Sequence, residues 1–216
     1  MPTDQGNATV GLTQVPPGAV PGPFNATEER ILDATLRLLG RRGVRRLAMS
    51  EISEAAGISR GTLYRYFPSK EHVLIGVAAY DEQRFTDGMA KALAPVPDAL
   101  ARVEAFVAFS FDYIREHPAR AVFEIEPEFV LGFLLQRLPQ LRGALIEQLG
   151  DALDSVPAVA SGELTRDQLA DIVVRLFASS FIIPESDERD LVRSITIMLL
   201  PARAEPITGR THGYRR

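Results

Sequence analysis

Arg60, Arg65 and Lys70 are interleaved with Thr62, Tyr64 and Tyr66 within eleven residues, a close mixture of cations and hydroxyls. A guanidinium is a planar fork of donors that pairs bidentately with a guanine edge, whereas hydroxyls and an ammonium hold phosphate oxygens. The set is suited to double-stranded DNA, with Arg60 and Arg65 reaching bases and Thr62, Tyr64, Tyr66 and Lys70 fixing the register on the backbone. That chemistry requires one short helix that a major groove can admit. The flanking residues supply it. Residues 49 to 56 are predicted to form a helix burying Ile52, Ala55 and Ala56, and Gly57 permits a left-handed turn. Ser59 then caps the next helix, Leu63 and Phe67 pack inward four residues apart, and Pro68 ends it. The competing reading of the same pattern is a purely structural hairpin in which Tyr64 and Tyr66 are packing residues.

Other chemistries find little support in the chain. Cysteine is absent, which removes disulfides, thiolate metal sites and cysteine nucleophiles. His72, His117 and His212 have no metal-ligand spacing, and His117 before Pro118 reads as a helix cap, so no metal is assigned. There is no phosphate-cradling glycine loop and no serine in a nucleophile elbow, so neither catalytic residues nor a cofactor are assigned. The alternative of a helical enzyme or small-molecule-binding protein with a structural N-terminal hairpin therefore has weak motif support.

Charge is distributed unevenly. Residues 37 to 70 hold eight basic and two acidic side chains, a net of +6, whereas 81 to 200 hold 20 acidic and 11 basic, a net of −9. The whole-chain value of −4 hides a basic module joined to an acidic body.

The elements that must carry these residues are helical throughout. Residues 1 to 24 are rich in Pro and Gly and are expected to be a disordered tail. They show no basic start followed by an apolar run, and no apolar stretch nears the roughly 18 residues of a membrane span, so a cytoplasmic location is expected. Asn25 or Thr27 can cap a first helix ending near Arg42, and Ser69 caps a fourth running to about Leu93. Apolar spacing near 3.6 predicts further helices over 98 to 116, 118 to 136, 139 to 154, 165 to 183 and 187 to 200. The expected fold is all-α, with a helix-turn-helix domain over 25 to 72, a larger helical bundle over 73 to 202 and a flexible tail over 203 to 216.

The run Ile52-x-x-Ala55-x-Gly57-Ile58-Ser59-x-Gly61-Thr62-Leu63-Tyr64-x-Tyr66-Phe67-x-Ser69-Lys70 resembles the signature of the TetR family of bacterial one-component regulators. The resemblance is dense over residues 27 to about 80. It implies a homodimeric transcriptional regulator, most often a repressor, that binds a palindromic operator and is released by a small-molecule effector. Carried across by position, Arg60, Gly61 and Arg65 fall where the family reads bases. Thr62, Tyr64, Tyr66 and Lys70 fall on its phosphate contacts, and Ser50 lies at the helix start that approaches the backbone. The family often has a hydroxyl residue before that helix. Here Ala48 and Met49 stand there, leaving Glu51 as half of a capping box.

In the acidic body, Phe106, Phe109, Tyr113, Phe123, Phe129, Phe133 and Phe177 recur at helical spacing, which by itself indicates core. The resemblance makes them candidate walls of a largely apolar effector cavity. Glu124, Glu126 and Glu128 could draw a cationic ligand, with a solvated face as the plainer reading. Ile172, Leu176, Leu191, Ile195 and Met198 lie on two apolar C-terminal helices that would leave an exposed patch on a monomer. In the family the corresponding helices form the dimer interface. The alternative is burial of both helices within one subunit.

Overall fold

The computed structural model describes residues 23–118, 120–182 and 188–200, and their side chains except those of 181–182 and 188–192. The Leu191 side chain and the expected 203 to 216 tail therefore lie outside what is described, as do residues 1 to 22. The fold is all-helical, and no strand occurs among the described residues.

α1 (Ala26–Arg42) starts where Asn25 accepts from the backbone of Thr27 and Glu28 while the Glu28 carboxylate accepts from the Asn25 N–H, a reciprocal capping box. Phe24, at the end of the expected tail, is held edge-on against Tyr80 with ring centres 5.5 Å apart. α2 (Met49–Ala55) and α3 (Arg60–Tyr66) are joined through Gly57, whose φ of 63° is the left-handed conformation that the turn requires. α2 turns slightly from its expected face. Ala55 is exposed and Ser53 is buried in its place, its hydroxyl donating to the Ser50 carbonyl at 2.8 Å. α4 (Lys70–Leu93) is capped by Ser69.

The body contains α5 (Ala99–Glu116), α6 (Arg120–Ile125), α7 (Pro127–Leu149), a 3-10 turn (Gly150–Ser155), α8 (Pro157–Ala160), α9 (Arg166–Ile182) and α10 (Glu188–Leu199). The division expected between 136 and 139 falls instead at Glu126, where Pro127 opens α7 as a first-turn proline. Pro139 lies inside α7. Leu134, Leu138, Leu141, Leu145 and Leu149 continue one inward stripe across it, so burial along that face outweighs the missing backbone hydrogen bond.

Two cores result. The first joins α1, α2, α3 and the first half of α4 to Val122, Val130 and Leu134 of the body. The second gathers the far end of α4 with α5, α7, the 3-10 turn and α9. α4 spans both, and Arg84 of α4 also pairs with Asp33 of α1 at 3.0 Å. Where α1 crosses the turn between α5 and α6, a side chain on Gly40 would overlap the carbonyl of Pro118. Intrinsic propensity alone would favour Gly40→Ala by about 1 kcal/mol. The close approach reverses that sign: the substitution is expected to destabilise the chain by about 1–3 kcal/mol, read as a lowered denaturation midpoint in urea.

Candidate nucleic-acid interface and ligand cavity

α3 is held from one side only. Leu63 and Phe67 anchor it in the first core, leaving Arg60, Gly61, Tyr64 and Arg65 outward, with Tyr64 50% exposed. The Ser59 hydroxyl accepts from the Thr62 N–H at 3.1 Å and contacts the Thr62 hydroxyl at 2.9 Å, so the start of α3 is rigid. Tyr66 is half-buried against the core, and the Arg65 guanidinium lies 5.4 Å from the centre of its ring. Ser50 sits in the first turn of α2, whose start has no side-chain cap at Ala48. Glu51 instead pairs with Arg42 of α1 at 3.3 Å. The Lys70 ammonium donates to the Arg45 carbonyl at 3.3 Å, bringing the start of α4 against the turn between α1 and α2. That turn also carries the exposed Arg45 and Arg46, beside Arg41 at the exposed end of α1.

A second feature lies behind this surface. A cavity of about 140 Å³ is bounded by Leu36, Leu39 and Val44 from α1 and its following turn, by Leu74, Val77 and Ala78 from α4, and by residues of α5, α6 and α7. Tyr113, Phe129 and Phe133 line it, as three of the seven aromatic residues singled out by spacing. The other four sit elsewhere. Phe106 and Phe177 stack with ring centres 6.0 Å apart in the second core, Phe109 packs on Phe85, and Phe123 packs against the first core. Helical periodicity marks an inward face but does not distinguish solid core from cavity wall.

The cavity has one polar corner. The Tyr113 hydroxyl donates to the Asp81 Oδ1 at 2.6 Å, and His117 Nε2 meets the same oxygen at 2.7 Å. Burial would raise the Asp81 pKa, but the hydrogen bonds and charge presented by His117, with the Tyr113 hydroxyl, more than offset it and hold the carboxyl below its usual range. Burial and the neighbouring Asp81 charge push the Tyr113 phenol well up. Asp81 was missed by sequence reasoning because its partners lie 32 and 36 residues away on another helix. The available signal was Tyr113 and His117, four apart on one face of α5. His117 is the C-cap residue of α5, as expected, but its ring has this further role.

Glu126 joins the two features. Its Oε1 accepts the Arg45 N–H at 2.8 Å, and a side chain on Gly43 would lie 2.7 Å from the same oxygen. Glu124 and Glu128 are exposed. None of the three lines the cavity. On the C-terminal helices, Ile195 is 3% exposed and packs with Val107 and Phe111 of its own chain, and Leu176 is partly buried there. Both therefore belong first to the subunit's interior. Ile172, Ile197 and Met198 remain outward, at 42%, 64% and 75% exposure.

Residues 31–77 match the family model described as bacterial regulatory proteins, tetR family. The chain belongs to the TetR family. An uncharacterised helix-turn-helix transcriptional regulator of Mycobacterium tuberculosis is 28% identical over 180 residues, covering 82% of this chain and 87% of that protein. The transcriptional repressor KstR of Rhodococcus jostii is 46% identical over 63 residues, 28% of this chain and 30% of that one. Among solved structures, AibR in complex with isovaleryl coenzyme A and operator DNA is similar in fold, with a TM-score of 0.58 at 18% identity over 81% of this chain and 98% of that one. The protein is thus a transcriptional regulator of the TetR family with a helix-turn-helix and a helical C-terminal region, and its relatives are regulators rather than enzymes. No helix among the described residues is long and apolar enough to cross a membrane.

Within this TetR-family chain the Asp81 corner supplies a pH test. A hydrogen bond to a charged acceptor contributes about 1.5–3 kcal/mol, so Tyr113→Phe is expected to lose about that much stability at pH 7. Asp81's folded pKa is depressed. Its contribution is therefore fully present above the ordinary carboxylate value of about 3.9 and is lost as pH falls below that through the lowered folded value. The gap between wild type and Tyr113→Phe should narrow over the same interval, measured by urea unfolding from pH 7 downward.

Proposed function

We propose that this chain is a ligand-responsive repressor, a homodimer that binds a palindromic operator through residues 25–72 and leaves it when a small molecule fills the cavity. Arg60 and Arg65 read base edges with Gly61 allowing close approach, while Ser50, Thr62, Tyr64, Tyr66 and Lys70 hold the phosphate backbone. Residues 73–202 form the effector and dimer region, with α1 contributing one wall of the cavity. A cytoplasmic location follows from the need to reach an operator.

The observation that carries this reading is the shared wall. α1 and α4 share the first core with α3 and also bound the cavity, so a ligand that moves them moves the recognition helix. The Glu126 bond to the Arg45 N–H, 81 residues away in sequence, links the corner between α6 and α7 to the turn before α2. The similarity to a named repressor supports repression, and the AibR complex with an acyl coenzyme A and operator DNA gives precedent for an effector in this fold. Ile172, Ile197 and Met198 offer an outward apolar face for a second copy. A two-fold dimer would set its recognition helices about one DNA turn apart, ~34–36 Å.

Arg60→Ala and Arg65→Ala are expected to cost about 1–3 kcal/mol on the operator and to relax preference at one base pair each, whereas Tyr64→Phe and Lys70→Ala weaken specific and random DNA alike. The test is a binding titration on DNA from the gene's own upstream region across a salt series. Equal losses on both DNAs for every variant would remove the base-reading assignment, and salt-insensitive binding would remove the DNA reading altogether. Sedimentation of Met198→Glu with Ile172→Glu is expected to give a monomer with weakened operator binding.

A further inference from the structure

The chemistry of the cavity's one polar corner narrows what can occupy it. The space of about 140 Å³ is close to that which accommodates a single benzene-sized ring, so the occupant is compact. Apart from Asp81, Tyr113 and His117, the residues around it are aliphatic or aromatic hydrocarbon, including Leu39, Leu74, Phe129 and Phe133. Tyr113 and His117 both already direct a polar atom at the Asp81 carboxylate. Tyr113 has a single O–H, and it is directed at the Asp81 Oδ1 and, at 3.2 Å, the Asp81 carbonyl. The Nε2 of His117 faces the same Oδ1. What Asp81 and Tyr113 offer a newcomer is acceptor capacity, in the carboxylate and in the lone pairs of the phenol oxygen.

We propose that the cavity takes a compact apolar molecule whose single polar end is a hydrogen-bond donor, with a cationic amine preferred to an alcohol and a carboxylate or phosphate excluded. This rests on the reading of the cavity as the effector site. The physical ground is the charge of the corner. A cation beside the Asp81 carboxylate gains a charge-assisted hydrogen bond in addition to the contact His117 makes there, an alcohol gains a weaker one, and an anion meets the carboxylate's like charge.

The experiment is a matched series of benzylamine, benzyl alcohol, toluene and benzoate against the full chain, measured by calorimetry and by thermal shift. Affinity is expected to fall in the order amine, alcohol, toluene, with benzoate not detected, and with the amine at least tenfold tighter than toluene. Asp81→Asn should reduce the amine to the level of the alcohol while leaving toluene within twofold, which also shows that the variant retains its cavity. In the wild-type chain alone, benzoate binding as well as benzylamine overturns the proposal, as does an amine no tighter than toluene. Toluene binding with no preference for a donor overturns the ligand chemistry and leaves the effector cavity standing. No binding by any of the four removes the cavity as a ligand site, and the ligand chemistry with it.

Discussion

α1 and α4 each pack in two directions, and the rest of the molecule depends on that double contact. Their residues close the first core beneath α3, and others on the same two helices, from Leu36 to Asp81, bound the cavity. Close-packed interiors do not deform smoothly, so a change of volume on one side of such a helix is transmitted to the other. α3 itself is only seven residues long and is anchored by Leu63 and Phe67. Its orientation is therefore set by what lies under it.

The junction between the two regions is made by close approach as much as by apolar burial. Gly40 allows the Pro118 carbonyl to sit against α1, and Gly43 leaves space for the Glu126 carboxylate, which accepts the Arg45 N–H. Lys70 reaches the carbonyl of the same Arg45. The short turn before α2 is thus gripped through its backbone by groups from the body and from α4. Backbone groups there have few other partners, and each bond to them limits how far the turn can shift.

Local sequence was most informative where local rules govern. Capping at Ser59 and Ser69, a cap at Asn25 or Thr27 that the structure places at Asn25, the left-handed turn at Gly57 and the inward spacing of Leu63 and Phe67 were all legible before any tertiary contact was known. The body was less legible for identifiable reasons. Pro139 reads as a stop, yet a continuous leucine stripe carries α7 through it, and Pro127 opens the helix instead. Ile195 looks like an interface residue from its spacing, but Val107 and Phe111 of the same chain cover it.

What the amino-acid sequence determined by itself was the helical class, the positions of the first four helices, the basic character of 37 to 70 and the family signature, because each depends on residues within a few positions of one another. Only the tertiary structure decided which aromatic residues border empty space and which fill it. It also brought Asp81 to Tyr113 and His117, and Glu126 to Arg45. Those pairings join residues tens of positions apart on different helices, and their existence depends on crossing geometry and on the absence of a side chain at Gly40 and Gly43. The exposed, cationic α3 could be read along the chain; the cavity behind it exists only where separate helices meet.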